Sequence, residues 1–174
     1  MEMITGEKIK LRALEPTDLD FLYQIENNTD FWEYGDSQTP FSRFVLKKYL
    51  KNSSKDIYEV KQLRLVITTL DDAFLGLIDL YDFDPKNKRV GLGIVIKDKE
   101  QRGKGFAFEA INLLCDYAFK QFDVHQVFAI VLEDNAQSKK LFEKAGFINT
   151  AVKKDWVYFR DSFKDAFLFQ KIKS

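Results

Sequence analysis

The first half of the chain carries polar and apolar residues in patterns typical of β-strands. Residues 8–12 alternate with period two, as a half-buried strand does. Two apolar, β-branched runs at 63–69 and 74–81 are separated by the turn sequence Leu-Asp-Asp-Ala, which predicts an antiparallel hairpin. A third run at 89–96 follows an Asp-Pro-Lys-Asn-Lys turn. These three runs predict a meander of strands.

Apolar residues spaced three and four apart predict four helices. The first helix starts at Pro16, and the second runs from Pro40 or Ser42 to about Leu50. The third covers residues 104–122, and the fourth ends at Gly146. The segment 27–39 mixes polar and aromatic residues and is expected to be a loop. A strand at 124–132 and two strands within 152–173, around residues 160–162, complete the chain. The predicted order therefore contains seven strands.

The segment Arg-Gly-Lys-Gly-Phe-Ala at 102–107 lies between a predicted strand and a predicted helix. Its two glycines allow consecutive backbone N–H groups to point into one concavity, and the following helix adds the positive end of its dipole. This arrangement predicts a phosphate-binding loop at a helix start, although a glycine pair there is also common in plain turns. Neither the Walker spacing nor the dinucleotide fingerprint is present.

Composition narrows the classes of partner. The 174 residues include 27 Lys and Arg against 27 Asp and Glu, so no overall field attracts the chain to nucleic acid or to an anionic membrane. The first residues lack the apolar core of a signal peptide, and no run reaches the length of a membrane span. We therefore expect one cytoplasmic domain over residues 1–174, with no nucleic-acid partner, no membrane association and no metal cofactor.

The cysteine and the aromatic residues point to packing. Cys115 falls on an apolar helical face and is expected to be a buried, unreactive thiol. Phenylalanine is abundant, at 17 residues, and most of these rings must fill a core or an interface. The aromatic excess favours a homodimer or a higher homo-oligomer.

Two motifs and the order of elements resemble the GNAT family of acetyl-CoA-dependent N-acetyltransferases. The family's loop motif matches Arg102, Gly105 and Ala107, and its Asn-x-x-Ser/Ala helix with a Gly-Phe ending matches the segment from Asn135 to Phe147. The resemblance covers nearly the whole chain. It implies an α/β (α+β) fold, a single domain with a mixed, mostly antiparallel central sheet of about seven strands and helices on both faces.

The resemblance also implies a set of residues that bind acetyl-CoA. Backbone amides of the loop would hold the CoA pyrophosphate, free N–H groups of the central strand would bind the pantetheine and the thioester carbonyl, and the Asn helix would line the pantetheine. The positions concerned are Ile94, Val95, Ile96, Arg102, Gly103, Lys104, Gly105, Phe106, Ala107, Asn135, Ser138, Lys139 and Phe142. In the family a bulge splays the central strand. Gly91 and Gly93 would suit that bulge, or would make room for aromatic neighbours.

The chain departs from the family at the proton donor. Phe142 stands where many members have a tyrosine, and Gly91 stands at or near a strand glutamate of spermidine-type members. Another hydroxyl could substitute, from Tyr81, Tyr158 or Ser138. Direct transfer with water-mediated proton loss is the second possibility. The third is a chain that binds acyl-CoA with little turnover.

Acidic residues are the candidates for binding an amine. Asp79 and Asp82 lie on the third predicted strand, and Glu33 and Asp36 lie in the loop between the first two helices. The opening and closing segments resemble the branch of ribosomal-protein and spermidine acetyltransferases. The leading hypothesis is thus acetyl transfer to a small polyamine-like primary amine. Acetylation of a protein N-terminus and a regulatory CoA-binding module are the alternatives.

Overall fold

A mixed sheet of eight strands forms the centre of the computed structural model, which describes residues 4–34 and 38–174. The strands are β1 (Ile4–Thr5), β2 (Ile9–Ala13), β3 (Leu63–Thr69), β4 (Phe74–Asp84), β5 (Arg89–Ile96), β6 (Gln126–Leu132), β7 (Ile148–Phe159) and β8 (Ser162–Ile172). Their order in the sheet is β1-β2-β3-β4-β5-β6-β8-β7, and only β5 and β6 are parallel neighbours. The mixed, mostly antiparallel sheet is confirmed. It has one strand more than predicted, the two-residue β1.

Helices cover both faces of this sheet, as predicted. They are α1 (Leu19–Glu26), α2 (Arg43–Asn52), α3 (Ile57–Val60), α4 (Phe106–Gln121) and α5 (Ala136–Lys144). Leu22 of α1 and Leu46 of α2 pack with Val66 of β3 on one face. Ile111 of α4 packs with Leu65 on the other face. Since successive strand residues point to opposite faces, α1 and α2 lie on one side of the sheet and α4 lies on the other.

The helix boundaries differ from the sequence prediction where local hydrogen bonds intervene. Pro16 begins a separate 3₁₀ turn, Pro16–Asp18, in which Asp18 accepts two bonds from the Arg12 guanidinium, each 2.8 Å long. The predicted loop after α1 contains a 3₁₀ helix, Thr29–Tyr34. The short helix α3 was not predicted, and the Asp56 carboxylate caps it by accepting from the Tyr58 N–H.

Cys115 lies inside the core between α4 and the sheet. Its side chain is fully buried, and this burial raises the pKa of the thiol to about 12. The thiol therefore stays protonated at neutral pH, in agreement with the prediction of an unreactive residue. Among the helices of residues 4–34 and 38–174, none is long and apolar enough to cross a membrane.

Candidate active site

The sheet forks between β5 and β6. These strands pair over only three positions, from Arg89–Gln126 to Gly91–Phe128. Both strands continue beyond that point, β5 to Ile96 and β6 to Leu132. Their later residues are not paired with each other, so a gap opens between two strands that run in the same direction. Unpaired backbone groups in such a gap are available to a ligand.

The direction of the β5 backbone groups determines which of them line this gap. The Lys97 N–H donates to the Leu75 carbonyl on β4 at 2.9 Å. Because N–H and C=O alternate sides along a strand, Ile94 and Ile96 direct their groups toward the gap. Val95 faces β4 instead, where its carbonyl would lie 2.0 Å from a Cβ on Gly76. The N–H of Val95 is therefore not directed at the gap, which differs from the prediction.

Gly91 makes room for an aromatic ring. A Cβ on Gly91 would lie 2.5 Å from two ring carbons of Tyr81 and 3.0 Å from Phe128, whereas a Cβ on Gly93 would meet Tyr81 at an ordinary 3.8 Å. The register of β5 against β4 is continuous from Gly91 to Ile96, and the irregularity falls in β4 between Tyr81 and Asp84. The expected bulge is thus not at the glycines of the central strand.

Tyr81 lies at the fork. Its ring sits beside Gly91, the last β5 residue paired with β6, and contacts Phe128 edge to face at 5.8 Å between ring centres. Burial, with smaller contributions from the charges of Asp82 and Asp79, raises the pKa of Tyr81 to about 12. The phenol is therefore protonated at neutral pH.

The loop before α4 has the backbone conformation that the glycines allow. Gly103 has φ of +76° and Gly105 has φ of +85°, both in the left-handed region. No heavy atom lies within 4 Å of a Cβ placed on Gly103. Gly105 is also the N-cap, so α4 begins at Phe106, two residues later than predicted. The first-turn N–H groups, including those of Phe106 and Ala107, have no partner within the helix and are open to an anion.

The side chains of this loop take different directions. Arg102 reaches back to the Ile96 carbonyl at 3.4 Å, and its guanidinium lies 5.9 Å from the centre of the Phe31 ring. The Lys104 ammonium donates to the Gln101 side chain at 3.3 Å. Arg102 thus connects the loop to the end of β5 and to the 3₁₀ helix after α1.

The predicted residues of α5 have structural contacts. Asn135 caps the helix by accepting from the Ser138 N–H at 3.1 Å, and the Lys139 ammonium lies over the Phe167 ring at 4.4 Å. Phe142 is 4% exposed and packs edge to face against Phe147. The phenyl ring has no hydroxyl proton to donate. It also belongs to the core, away from solvent. Ser138 remains half-buried in the first turn of α5.

Tyr158, the third hydroxyl candidate, lies at the tip of the β7–β8 hairpin. It is 61% exposed, and its hydroxyl donates to Asp161 at 3.2 Å. Strands β8 and β6 lie between β7 and β5 in the sheet, and the pairing of β6 with β8 ends at Ala166. The structure therefore brings Tyr81, and not Tyr158, to the fork.

Asp79 belongs to a half-buried charge cluster that the sequence analysis missed. Arg64 of β3 donates to Asp79 through two bonds, of 2.7 and 2.9 Å, and to Glu26 of α1 at 2.6 Å. Burial disfavours the Arg64 cation, but the two carboxylates outweigh it and raise the pKa of Arg64. The ring centre of Tyr49, on α2, lies 5.7 Å from the guanidinium carbon of Arg64. One cation between two carboxylates leaves one excess negative charge.

The remaining acidic candidates are Asp82, Glu33 and Asp36. Asp82 is exposed at the β4 irregularity, with φ of +48°. The backbone of Glu33 lies in the 3₁₀ helix Thr29–Tyr34, and its side chain is not among those described. Asp36 lies outside the described residues. Asp79 shares its sheet face with Tyr81, two residues later, so this acidic candidate lies on the face that carries the tyrosine of the fork.

Comparison with known proteins identifies the family. Residues 8–148 match the acetyltransferase (GNAT) domain. A spermidine N(1)-acetyltransferase of Vibrio cholerae is 29% identical over 82% of this chain and 80% of its own length, and one of Escherichia coli is 30% identical over 83% and 75%. A putative ribosomal N-acetyltransferase of Bacillus subtilis is 25% identical over 97% and 93%.

A solved structure shows the same fold. The spermidine N-acetyltransferase from Vibrio cholerae, crystallised in complex with CoA and spermine, superposes with a TM-score of 0.85 at 25% identity over 96% of each chain. The family match covers most of the chain, and it agrees with the forked sheet and the glycine loop. This chain belongs to the GNAT acetyltransferase family.

Proposed function

We propose that this chain transfers the acetyl group of acetyl-CoA to a primary amine of a small, polyamine-like acceptor. The observation that carries this proposal is the fork between β5 and β6, which begins beside Tyr81 and is accompanied by the glycine loop at the start of α4. Relatives named as spermidine acetyltransferases support the acceptor class.

The donor side is made of backbone groups and one loop. The Ile94 and Ile96 groups directed at the gap are suited to the amide groups of a pantetheine arm, and the open face of Gly103 and Gly105 is suited to a diphosphate. Acetyl-CoA supplies the activated thioester. A gap-facing N–H of β5 would bind the carbonyl oxygen as negative charge develops there.

Tyr81 is the proton donor in this proposal. Its phenol gives its proton to the CoA sulfur as the C–S bond breaks, and the neutral attacking amine returns a proton to the phenolate oxygen once the new C–N bond has formed. Burial raises the pKa of the phenol to about 12, so the hydroxyl is protonated before the reaction. The Tyr81 ring lies at the start of the fork, beside Gly91. Phe142 and Gly91, which stand where family members carry a tyrosine and a glutamate, have no proton to supply. A hydroxyl on β4 would thus replace the tyrosine that many family members carry on the helix equivalent to α5.

The cluster of Glu26, Arg64 and Asp79 attracts the acceptor. Its excess negative charge is half-buried, with the side chains of Glu26 and Asp79 19% and 20% exposed. A partly desolvated carboxylate attracts an ammonium group more strongly than a solvated one does. Because Arg64 neutralises one of the two carboxylates, a single amine at this position is sufficient to balance the cluster.

Thiol release from acetyl-CoA tests the proposal. We expect spermidine or spermine to increase release over the rate without acceptor, and a Gly105→Val variant, strained at positive φ, to lose CoA-induced thermal stabilisation. Peptides with the N-termini of ribosomal proteins are the second set of acceptors. Release with peptides alone would replace the polyamine assignment. CoA stabilisation without release for any acceptor would favour a regulatory binding module.

Self-association is part of the proposal. The edge strand β7 is exposed along most of its length and carries Ile148, Val152, Trp156 and Tyr158 on its surface. A relative from Vibrio cholerae has been described as dodecameric. We expect light scattering to find a homodimer or a larger homo-oligomer, and a monomer at micromolar concentration would contradict this expectation.

A further inference from the structure

The turn between β1 and β2 is attached to the first turn of α4. The Glu109 carboxylate accepts the Lys8 N–H, at 3.1 and 3.2 Å from its two oxygens, and it also accepts the Glu7 N–H. The contact is so close that a Cβ on Gly6 would lie 1.9 Å from a Glu109 oxygen. The Glu109 carboxylate, in the first turn of α4, is therefore hydrogen-bonded to the backbone of the β1–β2 turn.

This attachment brings the Lys8 ammonium to the glycine loop. Its Nζ atom lies 3.5 Å from the Lys104 carbonyl oxygen and 3.5 Å from the position of a Cβ on Gly105. Among the described residues, no carboxylate lies within 4 Å of this ammonium group. Within the described part of the chain, the Lys8 ammonium has one long bond, to the neutral Lys104 carbonyl, as its partner.

The positive charge of Lys8 adds to the field of the helix start. The start of a helix carries partial positive charge, and the exposed Lys8 ammonium strengthens the attraction for an anion there. Arg102 and Lys104 add two more cations to the same loop. A ligand with two adjacent negative charges would be attracted by these cations together, and a diphosphate has that charge.

We propose that Lys8 binds the diphosphate of CoA and that Glu109 is the positioning residue that holds it there. The inference rests on the proposed function, since it assumes that CoA is the ligand of the loop. It adds a residue from the amino-terminal hairpin to a site otherwise built from one loop and one helix start. The Lys8 ammonium exchanges the Lys104 carbonyl for a phosphate oxygen when the ligand binds.

Titration calorimetry with three ligands tests the role of Lys8. CoA, dephospho-CoA and pantetheine separate the diphosphate from the 3′-phosphate, because dephospho-CoA retains only the diphosphate and pantetheine has neither. We expect Lys8→Met to raise the Kd of CoA and of dephospho-CoA by the same factor, about threefold to tenfold. Lys8→Arg should retain most of the affinity. Lys120→Met, at the other end of α4, removes the same charge and should change neither Kd.

The outcomes separate this inference from the proposed function. Wild-type protein that does not bind CoA would overturn both. Wild-type binding that Lys8→Met leaves unchanged would overturn only the role of Lys8, as would an effect seen with CoA and not with dephospho-CoA. An equal effect on pantetheine would show a general structural change and would also overturn it.

A double-mutant cycle tests the positioning role of Glu109. In the Glu109→Ala background the amino-terminal turn is released, so Lys8→Met should change the Kd of dephospho-CoA by less than about twofold. If the full effect of Lys8 persists in that background, Glu109 does not position it. Thermal unfolding without ligand checks that each variant is folded.

Discussion

Replacing Gly91 with alanine should destabilise the fold, because the Tyr81 ring occupies the space of the added methyl group. The new Cβ would lie 2.5 Å from two ring carbons of Tyr81 and 3.0 Å from Phe128. Carbon atoms normally approach to about 3.5 Å. The Tyr81 ring must therefore move by roughly 1 Å, against the edge-to-face contact with Phe128 behind it.

Two opposing contributions determine the size of the effect. Overpacking of this kind costs about 1–3 kcal/mol. Alanine in a strand is otherwise more favourable than glycine, by about 0.5–1 kcal/mol. The net loss in the free energy of unfolding is thus about 1 kcal/mol, within a range of roughly 0–2.5 kcal/mol, and each kcal/mol corresponds to a fall in Tm of about 2–4 °C for a chain of this size.

Gly93 provides the matched control for this experiment. The same substitution there meets Tyr81 at 3.8 Å, an ordinary contact, so Gly93→Ala should be neutral or slightly stabilising. Urea denaturation of both variants gives the comparison. In a Tyr81→Ala background most of the cost of Gly91→Ala should disappear, because only the 3.0 Å approach to Phe128 remains. Equal effects at Gly91 and Gly93, or the full cost persisting without the Tyr81 ring, would refute the steric argument.

Three further predictions concern single side chains. Tyr81→Phe should lower kcat about a hundredfold without changing the free energy of unfolding, if the hydroxyl donates the proton; steady-state kinetics with equal kcat would contradict the role. Arg64→Met leaves Glu26 and Asp79 without their cation and should cost about 3 kcal/mol in urea denaturation, whereas a loss below about 1 kcal/mol would show that the cluster is solvated. The thiol of Cys115 has its pKa raised to about 12 by burial, so the folded state keeps its proton where the unfolded thiol ionises. The stability associated with this thiol is complete below about pH 9 and is lost as the pH rises toward 12. The free energy of unfolding should fall more steeply above pH 9 in the wild type than in Cys115→Ala, and parallel curves would contradict the assignment.

Patterns with a single physical cause were predicted well from the sequence. The β3–β4 hairpin follows from two apolar runs around a polar turn, and the glycine loop follows from residues that tolerate positive φ. The pair Arg64 and Asp79 could have been found by the same reasoning. A hairpin with that turn places these two residues directly opposite each other, and oppositely charged partners are expected there.

Features that depend on tertiary packing were not predictable. Whether Gly91 allows a bulge or an aromatic ring depends on the direction of the Tyr81 side chain, which the register of β4 against β5 determines. The orientation of Val95 depends on that register too. Phe142 belongs to a site motif in the sequence, but its ring completes a core cluster with Phe147 and Phe169 from other elements.

The three-position contact between β5 and β6 has a consequence for acceptor preference. The residues proposed to attract the acceptor and donate the proton, Glu26, Arg64, Asp79 and Tyr81, come from elements that precede the fork in the chain. The helix start that is suited to the donor follows the fork, and Lys8 is the one residue that we propose to join it from the earlier stretch. Under these proposed roles, substitutions among the four earlier residues should change acceptor preference while the glycine loop keeps the same donor.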